Sequence, residues 1–214
     1  MGTILASAIV TSARVTLLDP APGKTWLDAT MLLLINEALR QMALAKPEVY
    51  VVRGAVDLVP GYDQALPVGG TATFKFTQNV TSKKRCNQVS ESLLIEETRF
   101  APYPTEEVDV ESWALDARDT TRFMVTPPND GTGSLLGSYG GTPTVASLAT
   151  VIPVDDIYES PIKYLLLSEC YAADTTRKDM TKATYWSQKA MGLLGLETQT
   201  KAAVTPKLGQ PGGQ

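Results

Sequence analysis

The sequence predicts an α+β protein: a four-helix bundle made of an N-terminal and a C-terminal helix pair, an inserted antiparallel β-rich domain, and a flexible C-terminal tail. Three observations carry that prediction. Apolar residues recur at helical spacing up to Ala45 and again from Ile162 to Leu194. Between Glu48 and Ile152 the pattern shortens to alternation and is cut repeatedly by Pro, Gly and Asn/Asp turns. Beyond Leu196 the periodicity stops, and Pro206, Pro211 and several glycines follow. The expected boundaries are residues 1–46 and 154–196 for the bundle, 47–153 for the β-rich insert and 197–214 for the tail.

Thr3 to Leu18 is expected as the first helix, burying Ile4, Ala8, Thr11, Val15 and Leu18 as one stripe. Asp19 to Gly23 breaks it, and so short a loop brings the next helix back antiparallel. That second helix starts at Thr25, which can act as cap with Asp28 answering it in a shortened capping box. Its stripe is Leu27, Met31, Leu34, Ala38 and Met42. Pro47 ends it by pushing Lys46 away from helical angles.

Residues 48–58 then alternate as a strand, and Val49 to Leu66 is a hairpin candidate closed by Pro60-Gly61. Thr71 to Thr77 is β-rich, with Phe74 and Phe76 assigned to one face, and leads into a basic loop, Lys83-Lys84-Arg85. Ser90 can cap a short helix to Thr98. Val108–Leu115 and Thr121–Val125 make the best antiparallel hairpin. Gly131 to Gly141 holds five of the 16 glycines and is expected as a long flexible loop, with Val145 to Ile152 as a last strand. A single turn near Asp156–Glu159 precedes a helix capped by Ser160 with Pro161 as its first residue. A final helix runs from Asp179 to Leu196.

Composition narrows the chemistry. At 214 residues, 43% hydrophobic and 20% charged, the chain has material for a sizeable core in one domain or two closely joined ones. A net charge of −4 argues against a tight sequence-independent DNA binder, yet suits a surface past which DNA slides. There is no histidine, so the commonest general base and transition-metal ligand is missing. Cys86 and Cys170 are compatible with a disulfide, but two reduced, partly buried thiols are the expectation. No apolar run reaches membrane-spanning length, and the N-terminus lacks the marks of a signal peptide.

No arrangement of residues signals catalysis. Asp155-Asp156 sits where a helix start favours acids, and Glu96-Glu97 reads as a solvated face. Asp109 and Glu111 share a strand face, and only their spacing in space would decide whether such acids form a hydrolase pair. Gly131-Thr132-Gly133-Ser134 lacks the Gly-Lys-Ser/Thr of a phosphate loop, and no Cys/His cluster exists for zinc. Trp26, Trp113 and Trp186 read as packing residues. No catalytic residue, metal or cofactor is expected, and a structural or interaction protein is the reading that remains.

Several stretches in order support that reading. "TWLDATMLLLINEALRQMALAKPEVY", "LVPGYDQALP", "WALDARDTTRFMVTPP" and "IPVDDIYESPIKYLLLSECYAAD" together resemble the head-to-tail adaptor family of short-tailed bacteriophages, also known as tail tubular or head-tail connector proteins. The glycine-rich stretch and the long C-terminal tail depart from its shorter members. The resemblance implies a structural virion protein of the neck, assembled in the host cytoplasm as a homo-oligomeric ring, a dodecamer in the familiar cases. Such a ring docks under the portal protein, carries the tail nozzle and tail fibres, and lets DNA pass through its lumen without specific binding or membrane contact. Lys83, Lys84, Arg85, Lys201 and Lys207 are then the candidate portal or partner contacts. The alternatives are a head-completion or tail-terminator ring protein, or a virion-carried peptidoglycan hydrolase working through acids such as Glu107 or Glu111.

Overall fold

The structure, a computed structural model, describes residues 2–21, 23–100, 105–173 and 175–204. In chain order its elements are α1 (Ala6–Leu17), α2 (Asp28–Ala45), a 3-10 turn (Pro47–Val49), β1 (Val51–Asp57), β2 (Gly61–Ala65), β3 (Gly70–Asn79) and β4 (Asn87–Gln88). There follow α3 (Glu91–Phe100), β5 (Ser112–Leu115), β6 (Arg122–Asn129), β7 (Ser134–Gly141), a second 3-10 turn (Asp156–Tyr158), α4 (Glu159–Ala172) and α5 (Met180–Val204). The chain is therefore α+β, with five helices and two sheets among the described residues. It divides into two compact units: Met1–Lys46 with Pro143–Gln214, and Pro47–Thr142.

In the helical unit α4 is the shared element. It packs against α1, α2 and α5, whereas α1 and α2 barely meet. α2 buries Met31, Ile35, Ala38, Leu39 and Met42, and α4 buries Ile162, Leu165, Leu166 and Cys170 against them. The Ser168 hydroxyl donates to the Ala183 carbonyl oxygen at 2.8 Å, which ties α4 to α5. Asp179 caps α5 by accepting from the backbone N–H groups of Thr181 and Lys182 at 3.1 Å each.

Several expectations are corrected here. α1 starts at Ala6 rather than Thr3 because the preceding residues are extended: Leu5 bridges Val151, and the Ile152 N–H donates to the Ile4 carbonyl. The N–H groups of Ala6 and Ser7 are satisfied by the carbonyls of Thr150 and Leu148, so the helix needs no side-chain cap. Residues 145–152 thus form no strand of the β unit; Asn36 on α2 also clamps Val145, accepting its N–H and donating to its carbonyl. The α1 stripe is also on the other side. Ala6, Ile9, Val10, Ala13 and Leu17 are buried, while Ala8, Thr11, Val15 and Leu18 face out.

The predicted Thr25 cap does not form. α2 begins at Asp28 without a side-chain cap, because the Asp19 carboxylate has drawn the loop around itself. It accepts from the backbone N–H groups of Lys24, Thr25 and Trp26 at 3.0, 3.2 and 3.1 Å. Arg14 donates to the Trp26 carbonyl at 2.8 Å and to Asp28 at 2.7 Å, and lies 3.8 Å from Asp19. Arg14 and Asp19 are each only 3% exposed, so this is a buried pair with its hydrogen bonds satisfied. Burial pushes the Asp19 carboxyl upward, but the three N–H donors and Arg14 outweigh it and hold the group below its usual value. A Cβ at Gly23 would overlap the Arg14 guanidinium, so the loop closes only with glycine there.

At the C-terminal pair, Asp155 caps the 3-10 turn by accepting from Ile157, and α4 runs on from Glu159, so Ser160 is not a cap and Pro161 lies inside the first turn. α5 continues to Val204, past the expected end at Leu196, and residues 205–214 of the expected tail lie outside the described residues.

The β unit pairs its strands non-locally. One sheet has the order β1-β7-β3 and the other β2-β6-β5-β4. β1 pairs with β7 rather than with β2, so the expected Val49–Leu66 hairpin is absent. The glycine-rich stretch is no loop: β7 is the central strand of its sheet. Gly137 is needed there because a Cβ would overlap the Lys75 carbonyl oxygen of β3. The β5–β6 hairpin does form, with Trp113 opposite Val125. Val56, Phe76 and Leu135 from one sheet meet Trp113, Phe123 and Val125 from the other in one core. Phe76 stands edge-on to Trp113, with centroids 5.1 Å apart. α3 covers β5 and β6 with the buried Leu94. Cys86 and Cys170 are free and buried, one in each unit, and burial pushes their thiols up to about 11 and about 12.

Candidate functional site

The basic residues singled out from the sequence sit on the turn between β3 and β4. Asn79, at the end of β3, is 2% exposed and organises the turn. Its side chain accepts from the Val110 N–H at 2.8 Å and donates to the carbonyls of Val110 and Lys84 at 2.8 and 3.2 Å. Its backbone N–H takes the Lys84 carbonyl as well, so the chain turns back tightly and Lys83 adopts a left-handed conformation at φ 62°.

Lys84 is spent locally. Its ammonium lies 2.9 Å from Asp109, which raises the lysine pKa. The Ser82 hydroxyl and Lys84 together hold Asp109 below the usual carboxylate range. Glu107 and Glu111 lie on the same side, and with Lys84, Arg85, Asn87 and Asp109 they line a cleft of about 290 Å³. Lys83 and Arg85 are exposed and take part in no ion pair among the described residues. Lys201 lies in α5 with its side chain outside the description, and Lys207 lies outside the described residues.

This cleft gives little to the hydrolase alternative. A glycosidase acid must hold its proton near neutral pH, and Asp109 is shifted the opposite way. Glu107 and Glu111 are themselves exposed to solvent rather than held in a water-excluded pocket. Among the described residues, no group of three or more Cys, Asp or Glu side chains is placed to hold a metal ion, and no helix is long and apolar enough to cross a membrane.

What the sequence reading missed is the outer surface of the helical unit. Val15 and Leu18 are 72% and 80% exposed on α1, above a hollow of about 340 Å³ lined by Thr11, Arg14, Pro20 and Ala21. Met180, Tyr185 and Met191 are exposed on α5, where Met180 and Tyr185 share an open face with Thr181, Thr184 and Gln188. Apolar residues at helical spacing on both sides of α1 were the available signal, and the period alone does not say which side faces the core.

The described residues thus show a buried ion pair satisfied within the helical unit and exposed apolar residues on α1 and α5. Comparison with protein families makes the identity specific. Residues 5–208 match the model of the SU10 adaptor protein family. The chain belongs to that family of phage head-to-tail adaptors and is a structural component of the virion. No curated protein matches the chain significantly.

Proposed function

We propose that this adaptor forms a homo-oligomeric ring, a dodecamer, that sits under the portal of the DNA-filled head and joins it to the tail nozzle and fibres. Family membership over residues 5–208 is the observation that carries this reading. The helical unit acts as a bundle forming the ring wall, and the β unit contributes to the platform for the tail. DNA passes through the lumen without specific binding, in keeping with the net charge of −4. Assembly takes place in the host cytoplasm. Lys83 and Arg85, together with Lys201 and Lys207, contact the portal or a neighbouring subunit.

The test is reconstitution. Purified protein mixed with the portal oligomer should yield rings seated on the portal by electron microscopy, with the nozzle protein binding only after the adaptor. Reversing Lys83 and Arg85 to Glu should slow or weaken portal binding in a salt-dependent way. Failure of the wild-type protein to bind portal at all would refute the proposal.

A further inference from the structure

We propose that the open edge of β1 is a dimerisation strand and that its occupant is β1 of a second copy of this chain, running antiparallel about a twofold axis at Ala55. The pairing goes beyond the ring reading above and stands independently of it.

Backbone groups are the first argument. The Gly141 N–H donates to the Tyr50 carbonyl, and the Leu58 N–H to the Gly133 carbonyl. Between those contacts the β1–β7 register runs without a shift, so Val52, Gly54 and Val56 also bond toward β7. Val51, Arg53, Ala55 and Asp57 then turn their N–H and C=O groups the other way, and all four residues are exposed. β7 is the strand beside β1, and among the described residues the outward row of donors and acceptors has no backbone partner.

The other sheet edges are closed or broken. β3 carries three register shifts, and its outer side is taken: the Thr73 N–H donates to the Thr120 carbonyl, and the Thr77 carbonyl accepts from the Cys86 N–H. β2 has five residues and a shift between Gly61 and Asp63, and the Gln64 side chain folds back to bond Val59 and Gly61. β4 has two residues. β1 has seven, regular in register and free of proline, the form of edge that accepts another strand.

Charge says which strand. Arg53 and Asp57 share the outer face of the sheet and take part in no ion pair among the described residues. Their neighbours on β7 are Ser138 and Ser134, so no opposite charge meets them there. When a second β1 is set antiparallel with Ala55 against Ala55, Arg53 of each copy lies opposite Asp57 of the other. These are the outward-facing residues, so each such pair also exchanges two backbone hydrogen bonds. Sliding the copies by two residues loses both charge pairs, and sliding by four sets Arg53 against Arg53 or Asp57 against Asp57. A contact between like edges is isologous and closes on itself as a dimer. It is therefore a form of the free chain, one that keeps the edge covered before assembly.

Sedimentation equilibrium of the full chain tests this. Wild-type protein should show a concentration-dependent monomer–dimer equilibrium that weakens with added salt. Arg53→Asp and Asp57→Arg each set like charges opposite one another and should weaken dimerisation by roughly tenfold or more, with unchanged circular dichroism. Mixed in equal amounts, the two variants should form a heterodimer as tight as the wild-type dimer, because each supplies the charge the other lacks. Ala55→Pro removes an outward N–H without breaking a bond to β7 and should leave a folded monomer. A wild-type chain that stays monomeric, a dimer indifferent to Arg53→Asp and Ala55→Pro, or charge variants that do not rescue each other would overturn the pairing. So would hydrogen-exchange protection of the β1 amides that appears only when portal or nozzle protein is added, which would assign the edge to a strand of that partner. None of these outcomes bears on whether rings form on the portal.

Discussion

The two units use their apolar residues in opposite ways. The β unit turns its largest ones inward. Phe76, Trp113, Phe123 and Leu135 are all buried in one core, while Val59 and Val68 stand exposed at turns and Leu93 and Ile95 stand exposed on α3. The helical unit also closes a core, yet leaves aligned apolar faces on α1 and α5. Loops are handled differently too. In the β unit the amide side chains of Gln64, Asn79 and Asn129 stand in for missing strand neighbours. In the helical unit the α1–α2 loop is wound around a buried ion pair. The difference is one of degree: the β unit centres its aromatic residues in one core, whereas the helical unit leaves its most exposed helix-borne aliphatic residues, Val15 and Leu33, on outer faces.

That contrast can be broken at its strongest point. Trp113→Ala removes the centre of the β core and should cost about 3–5 kcal/mol, read as a fall in the urea midpoint. If the units are separately stable, β-sheet signal should be lost before helical signal. Gly137→Ala forces a methyl group against the β3 backbone and should cost about 1–3 kcal/mol by the same measurement; an unchanged midpoint would mean β7 is not the central strand.

The ion pair of the helical unit makes a prediction about acid. The Asp19 carboxyl titrates lower in the folded chain than in the unfolded one. Its contribution is therefore present above the unfolded value of about 3.9 and is lost as pH falls through the folded value. Asp19→Asn should lower stability near neutrality and flatten its fall as pH drops below the unfolded value of about 3.9, measured as urea midpoint against pH. The smallest effect sharpens the comparison most. Val15→Ser should change monomer stability by no more than about 0.5 kcal/mol, because the face it alters is open.

Much of this was legible in the sequence where signals are local. Met31, Ala38 and Met42 of the α2 stripe, the β5–β6 hairpin and the start of α5 at Asp179 follow from spacing, turn residues and capping, whereas Leu27 lies exposed ahead of the helix and Leu34 is half-buried. What failed depended on distant partners. Thr25 is a good cap in isolation, but Asp19 reached the backbone first. A run with Gly137 and Gly140 reads as a loop until β1 and β3 are known to flank it closely. The basic turn was placed correctly, but its neutralisation by Asp109 required knowing that Asn79 draws the residues around Val110 alongside. α1 offered an apolar stripe on each side, and the reading chose the outer one.

The pairing of β1 with β7 has a consequence for how such proteins diversify. These are the first and last strands of the β unit, zipped together from Val51 opposite Gly140 to Asp57 opposite Ser134. The chain thus goes in and comes out at neighbouring points, and the unit behaves as a cassette. Its turns can lengthen, or the whole cassette be exchanged for another, with only a short splice between Lys46 and Pro143 to be made good. Gene segments encoding the two units can then be exchanged independently, each recombinant keeping a helical unit whose own contacts need no redesign.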